Sequence, residues 1–386
     1  MLSIGLIGCQ RAKLFLEVVR KGNLPIDVKC VLDVDEMVLE DFSNLYPNIF
    51  TLSDSYEFFA SEEFEAVYIA SPVAYHFDHC RLALKNEKHV LCEVPIIQEI
   101  AQGYELIELS DATGLVCMMA ENYCFLPNVL ALNSAFKKGA FGEITFIRSS
   151  YIHDCKNLNF DYKKGSLTWR GELKKITSGN DYPTHALGPV CKLLGIGSGL
   201  DHLKSITSYS SKEAAMSDFA KNPSSPMSDL PDEFFRRGDI SASFIETYNG
   251  ILIELNLDTV SNRPSSMADL YIQGSRGAFI SGRHDKEEPI YSETNSQDHN
   301  VSEFEIFNSK DFLTNRENSE AERLNRLFPF YKVIEDFILT VKGIKKPYIT
   351  NYDGILWSAV IELSKKSILA ESSKEDFPSR LTGWAT

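Results

Sequence analysis

Tyr182-Pro183-Thr184-His185 sets a phenol and an imidazole three residues apart, within the run Asn180-Asp181-Tyr182-Pro183-Thr184-His185-Ala186-Leu187-Gly188-Pro189-Val190. If this segment turns into a helix, the two groups lie near one side and a single ligand can meet two proton-transfer groups. The bland readings of the same residues are a packed Tyr182 with a satisfied hydroxyl and a His185 that caps a helix or sits in a core. Upstream, Tyr151 closes a strand pattern, with His153 and Asp154 close enough to surround it with polar groups. Arg170, next to Trp169, carries a fork of donors suited to sugar hydroxyls or a carboxylate, or to an exposed ion pair. Asp181 with His185, and His76 with His79, have a spacing seen in metal sites, but neither pair completes a ligand set, so no metal is expected.

The elements that must position these residues begin at once. Leu2 to Ile7 is almost wholly apolar, as a parallel strand buried on both faces would be, and it runs into Gly8. Val28 to Leu32 ends at Asp33, and Ala66 to Ala70 ends at Ser71-Pro72. Lys88 to Cys92 leads into Glu93-Val94-Pro95, and Gly114 to Ala120 into Glu121-Asn122. In an open α/β sheet ligands bind outside the carboxyl ends of the strands, so Gly8, Asp33, Ser71 through His76, Glu93 and Asn122 should face one crevice. The Gly8 turn would offer backbone donors to a pyrophosphate, and Asp33 would accept the hydroxyls of an adenosine ribose, which favours NAD over NADP. Alternatively Gly8 marks only a turn, Asp33 caps the next helix, and Glu93 and Asn122 are loop or cap residues. The glycine pattern is degraded, since a full GxGxxG from Gly8 would need glycine where Gln10 and Lys13 stand. Together with the Tyr182 motif, these elements suggest redox chemistry on a sugar.

After Asn122 the pattern changes. Val129 to Lys138 reads as a helix stopped by glycines, and Ile144 to Tyr151, Ile240 to Tyr248, Ile251 to Leu257 and Asp269 to Gln273 read as strands. The expected architecture is an α/β N-terminal Rossmann dinucleotide-binding domain over 1–122, followed by a C-terminal α/β domain over 123–386 built on a predominantly antiparallel sheet. The helical patterns at Phe330 to Val341 and Leu356 to Ser367 are free to pack back on the first domain, and Trp384 is read as an anchor for a polar tail. With 54 Asp plus Glu against 39 Lys plus Arg, the net charge of -15 disfavours nucleic acid and anionic membrane as partners. No run is long and apolar enough to span a bilayer, and the strand pattern beginning at residue 2 leaves no room for an export segment, so a cytoplasmic enzyme is expected. The eight cysteines sit mostly in apolar surroundings, as ordinary buried thiols would.

The strand-ending Asp33, the Glu93-Val94-Pro95 turn, Met118-Met119-Ala120-Glu121-Asn122, Tyr151-Ile152-His153-Asp154, Trp169-Arg170, Tyr182 through Val190, Gln273-Gly274-Ser275-Arg276-Gly277 and Trp357-Ser358-Ala359-Val360 carry a resemblance over almost the whole chain. It is similar to the glucose-fructose oxidoreductase/inositol dehydrogenase/MocA-like superfamily, and most closely to its glycosidase branch, the NAD-dependent, α-N-acetylgalactosaminidase-like glycoside hydrolase family 109. Most dehydrogenases of the superfamily have Glu-Lys-Pro in the turn; Val94 replaces that lysine here, in agreement with the glycosidase branch. The resemblance implies a tightly held NAD contacted by Gly8, Gln10, Arg11, Asp33, Val73, His76, Glu93, Val94, Asn122 and Tyr182. It implies a small carbohydrate or glycoside bound by Tyr151, Arg170, Tyr182, Pro183, Thr184 and His185, with Tyr182 and His185 catalytic.

The implied chemistry is hydrolysis by transient oxidation at sugar C3, loss of the C2 proton, departure of the aglycone, addition of water and re-reduction. The alternatives are a sugar oxidoreductase that releases a keto-sugar, and a noncatalytic sugar or nucleotide sensor. A substrate-binding tyrosine of the branch falls near Ser265, which has no ring, so the acetamido preference is open. Fold analogy also allows a homodimer through packing of the second sheet.

Overall fold

The computed structural model describes residues 1–386 apart from 177, 223–224, 226, 228–230, 232–233, 295–300 and 383–386, so Trp384 and parts of two polar stretches lie outside the described residues. The chain divides into two compact units, Met1–Pro127 with Thr314–Ala359, and Asn128–Leu313 with Val360–Thr386.

In the first unit strands and helices alternate: β1 (Leu2–Ile7), α1 (Cys9–Gly22), β2 (Ile26–Leu32), α2 (Glu36–Leu45), β3 (Phe50–Leu52), α3 (Ser55–Ala60), β4 (Ala66–Ile69), α4 (His76–Lys85), β5 (His89–Cys92), α5 (Ile100–Thr113) and β6 (Cys117–Met119). The strands pair in parallel in the order β3-β2-β1-β4-β5-β6. That order reverses direction beside β1, the position at which open α/β sheets form their ligand crevice. Ile4, Leu6, Val67, Tyr68, Ile69, Val90 and Leu91 are fully buried, which explains why these strands read as continuous apolar runs instead of alternating ones. The helix after β2 is capped by Asp35, whose Oδ1 accepts the Met37 and Val38 N–H groups at 3.1 and 3.3 Å. Capping therefore falls two residues beyond Asp33.

The same unit takes three later helices, Asn315–Leu324, Phe328–Val341 and Asn351–Ser358. Phe330 brings its ring to 6.2 Å from Phe15 and 5.8 Å from Tyr68, so the last helices complete the core over β4. The run Leu356 to Ser367, which reads as one helix, breaks after Ser358. There the hydroxyl donates to Gly354 O at 2.7 Å, a back-bond that competes with the helix ladder and bends it.

The second unit opens with α6 (Pro127–Lys137) and β7 (Ile144–Ile152), followed by the small hairpin of β8 (Phe160–Asp161) and β9 (Ser166–Leu167) and by α7 (Trp169–Ile176) and α8 (Thr184–Leu194). Its strands β10 (Leu203–Ser210), β11 (Ile240–Thr247), β12 (Leu252–Asp258), β13 (Ser266–Gly274), β14 (Gly277–Ile280), β15 (Ile290–Glu293), β16 (Glu305–Ile306) and β17 (Glu375–Asp376) join β7 in the order β16-β15-β14-β13-β7-β12-β11-β10-β17. All neighbours are antiparallel except β12 and β7, which run in parallel with Tyr151 opposite Leu257. Every second residue of β11 and β12 is buried, the signature of a sheet covered on one face. The Ser149 hydroxyl donates to Ala186 O at 2.8 Å and pins α8 to β7. Among the described residues, no helix is long and apolar enough to cross a membrane.

Candidate functional site

In the first unit the ligand-side residues collect at the strand ends. Gly8 has φ 96°, and a Cβ there would lie 2.7 Å from Ala70 O, so only glycine lets the chain turn this closely from β1 into α1. The Cys9 N–H at the start of α1 donates to Asp33 Oδ2 at 2.9 Å, and the Asp35 N–H donates to Oδ1 at 3.2 Å. The carboxylate is thus fixed beside the α1 terminus, with lone pairs left over for a ribose diol. Burial, and then the Asp33 charge, push the Cys9 thiol up to about 12, which makes it an inert neighbour.

Arg11 reaches across to Glu93, donating Nε and Nη2 to Oε1 at 3.1 and 2.5 Å. The buried Tyr68 hydroxyl donates to the same oxygen. Burial, followed by the Glu93 charge, holds the Tyr68 phenol well above its ordinary range, so it remains a donor. Val94 is buried, as is Val73 in the short turn Val73–Tyr75. His76 is buried with Nδ1 2.8 Å from Pro95 O and Nε2 2.8 Å from Ser71 O, so it ties the loop after β4 to the turn after β5. Gln10 and Arg11 are exposed on the first turn of α1, and Asn122 opens a short turn held by the Glu121 carboxylate accepting the Tyr123 N–H at 3.0 Å. A glycine-only approach at Gly8 and an Asp33 anchored at the start of α1 fit a dinucleotide, although Lys13 occupies the third glycine position.

In the second unit the sequence motif does not lie on one helix. Pro183 is the N-cap, and α8 begins only at Thr184, because a proline has no N–H to give and is best placed at a helix start. Tyr182 precedes the helix and His185 stands in its first turn, yet their rings meet edge to face at 5.0 Å. Tyr151, at the end of β7, completes the group at 5.7 Å from the Tyr182 ring and 5.2 Å from His185. Its hydroxyl is 2.7 Å from His153 Nδ1. Burial lowers the His153 imidazole below its ordinary value, against the pull of Asp285 and Asp154, which favours the neutral ring beside the Tyr151 hydroxyl. Thr184 is fully buried, and its Oγ1 has no hydrogen-bond partner among the described residues. Arg170 is exposed and lies on the Trp169 ring at 4.1 Å.

The turn before Tyr182 is held from several sides. The Asn180 N–H donates to Ser364 Oγ at 2.9 Å, and Asn180 Oδ1 accepts the Tyr182 N–H at 3.2 Å. Asp181 pairs with the buried Arg237. Burial alone would raise the Asp181 carboxyl, but Arg237 and Lys174 pull it below its ordinary value. Sequence reasoning missed Tyr68, Lys174 and Arg237. Lys174 follows Trp169-Arg170 by one helical turn and offers that faint signal, whereas Arg237 stands in a polar stretch with none. Among the described residues, no group of three or more His, Cys, Asp or Glu could hold a metal ion.

Comparisons with known proteins match both parts of the chain. Residues 2–121 match the oxidoreductase family with an NAD-binding Rossmann fold, and residues 125–384 match the glycosyl hydrolase 109 C-terminal domain. A glycosyl hydrolase family 109 protein of Bacteroides fragilis (strain YCH46) is 28% identical over 93% of this chain and 84% of its own. An α-N-acetylgalactosaminidase of Bacteroides fragilis (strain ATCC 25285) is equally similar, at 28% identity over 93% and 84%. In fold, the chain is similar to levoglucosan dehydrogenase in complex with NADH and levoglucosan, with TM-score 0.74 at 18% identity over 98% of this chain and 99% of that one. An NAD binding oxidoreductase from Klebsiella pneumoniae gives TM-score 0.76 at 16% identity over 97% and 98%. The chain is an enzyme with an NAD-binding Rossmann domain, and it belongs to glycosyl hydrolase family 109, within the wider group of NAD-dependent glycosidases and sugar oxidoreductases.

Proposed function

We propose that this enzyme hydrolyses glycosides by a temporary oxidation of the sugar, with N-acetylgalactosaminides as the first substrates to test. The observation that carries this reading is the mutual contact of Tyr151, Tyr182 and His185, three groups able to hold or move a proton, in the part of the chain that matches the hydrolase family. Relatives named α-N-acetylgalactosaminidase from Bacteroides fragilis and Tannerella forsythia support the choice of glycone.

When bound, NAD supplies a hydride acceptor for sugar C3 and returns the hydride at the end, so it is required without being consumed. Gly8, Gln10, Arg11, Asp33, Val73, His76, Glu93, Val94 and Asn122 are the residues assigned to hold it, with Tyr182 beside it. Tyr182 or His185 takes the C3 hydroxyl proton. The C3 carbonyl then makes the C2 proton acidic, and His185 or a neighbouring phenolate removes it so that the aglycone leaves from C1. Water adds to the resulting enone. Tyr151 and Arg170, with Pro183 and Thr184, position the glycone. Val94 in the turn after β5 leaves no lysine there, which sets this site apart from that of an ordinary sugar dehydrogenase.

The test is turnover of an aryl glycoside in deuterium oxide by protein shown to carry NAD. Deuterium should enter at C2 of the released sugar, and His185→Phe should lower kcat/KM by about a hundredfold or more while NAD stays bound. Cleavage with C2 hydrogen fully retained would sink the elimination route.

A further inference from the structure

Two charged side chains without an assigned part in the chemistry, Arg237 and Lys174, act on Asp181, the residue that leads into Tyr182. Arg237 donates Nη1 to Asp181 Oδ2. Its backbone N–H and that of Arg236 donate to Lys174 O at 3.2 and 3.1 Å, which fastens the Arg237 segment to α7. Lys174 is 7% exposed and donates Nζ to Thr259 Oγ1 at 2.6 Å. The groups that face Lys174 are Asp181 and Arg237, Cys155 just after β7, and Asp258 at the end of β12, while Arg170, Glu172 and Lys175 share its helix. Asp258 has its own task, accepting the Val260 N–H at 3.1 Å, and burial raises its carboxyl.

Arg237 thus binds the Asp181 carboxylate directly, while the Lys174 ammonium, held on Thr259 Oγ1, adds only the pull of its charge. An arginine does not release its proton in this setting, so any change of charge falls on the lysine. Burial, and then repulsion by Arg237, lower the Lys174 ammonium to about 8. Asp181 is joined covalently to Tyr182, whose N–H is tied back to Asn180, so a shift of the Asp181 carboxylate is passed to the Tyr182 ring and to its edge contact with His185.

We propose that Lys174, Arg237 and Asp181 are positioning residues for the Tyr182–His185 pair, and that the charge on Lys174 sets how firmly the Tyr182 turn is held. The proposal rests on the reading of Tyr182 and His185 as the proton-transfer groups. With Lys174 charged, Asp181 is drawn by two cations; without that charge, Arg237 holds it alone and the carboxylate has more freedom.

The test compares wild type, Lys174→Met and Lys174→Arg as holoenzymes between pH 6 and 10, with kcat and KM for an aryl glycoside. In parallel, the 13Cε1 resonance of His185, assigned with His185→Phe, is followed without substrate. Wild type should lose kcat, with little change in KM, through a limb near pH 8, and the His185 resonance should inflect there. Lys174→Met should lack both and run about tenfold slower at pH 7. Lys174→Arg, which keeps charge and bulk, should retain kcat past the wild-type limb. If the limb and the inflection persist near pH 8 in both variants, the proposal is overturned. If wild type turns over no glycoside but its His185 inflection disappears in both variants, the positioning stands and the hydrolase reading fails.

Discussion

Arg11 with Glu93 in the first unit and Arg237 with Asp181 in the second join the same two chemical groups around similarly part-buried carboxylates, but with the arginine in opposite surroundings. The Arg11 side chain is 46% exposed, whereas that of Arg237 is 3% exposed. In water such a pair gains little and exchanges partners readily; in the interior its parts have no substitute for one another. The contrast matches the tasks assigned to the two regions. A crevice that admits a dinucleotide gains from an arginine able to leave Glu93 for a phosphate, while Tyr68 keeps Glu93 in place. A group proposed to move protons within one sugar gains from a turn that does not move.

Four experiments sharpen or break this comparison. The largest effect is expected from Arg237→Gln, which takes the buried arginine from the part-buried Asp181 carboxylate and should cost about 2–4 kcal/mol in denaturant unfolding. A loss below about 1 kcal/mol would mean that the second pair behaves like a surface pair. Next comes the pH dependence of stability through Lys174. Its folded value, about 8, lies below the ordinary 10.5, so between these values the unfolded chain binds more protons than the folded one. Stability from this group should therefore rise with pH across that window, by on the order of 2–3 kcal/mol, and Lys174→Met should flatten the rise.

A smaller effect, in affinity, is expected from Gly8→Ala. The added methyl meets Ala70 O and the backbone φ opposes it, so the Kd for NAD measured by calorimetry should rise about tenfold or more. Unchanged affinity would remove the Gly8 turn from the cofactor reading. The smallest is Arg11→Met, which should alter unfolding stability by less than about 1 kcal/mol. Its NAD affinity should also lose part of its dependence on salt. A loss of several kcal/mol would show the two pairs to be alike.

Much of the architecture was legible because its signals are local. Burial on both faces makes β1, β4 and β5 read as apolar runs, and polar residues end them. Period-two burial likewise gives away β11 and β12. The parallel pairing of β7 with β12 was not legible, because alternation carries no direction. The Tyr182–His185 contact was expected from helix spacing, yet it arises across a proline cap, so residue types were the better guide than the assumed geometry. Tyr68 reads as one more core residue of β4 until its hydroxyl is seen on Glu93. Arg237 lies 56 residues from Asp181, a separation over which periodicity and motif spacing say nothing.

The return of Thr314–Ala359 to the first unit bears on how the protein is made. A ribosome releases the amino end first, and most domains fold as they emerge. Here the Rossmann sheet is complete once Met119 has been synthesised, but Phe330, which packs by Phe15 and Tyr68, is still about two hundred residues away, roughly ten to forty seconds at ordinary rates of synthesis. Until then an apolar face over β4 has no cover. During translation the nascent chain thus presents a nearly finished dinucleotide domain whose apolar face over β4 stays open until the later helices emerge.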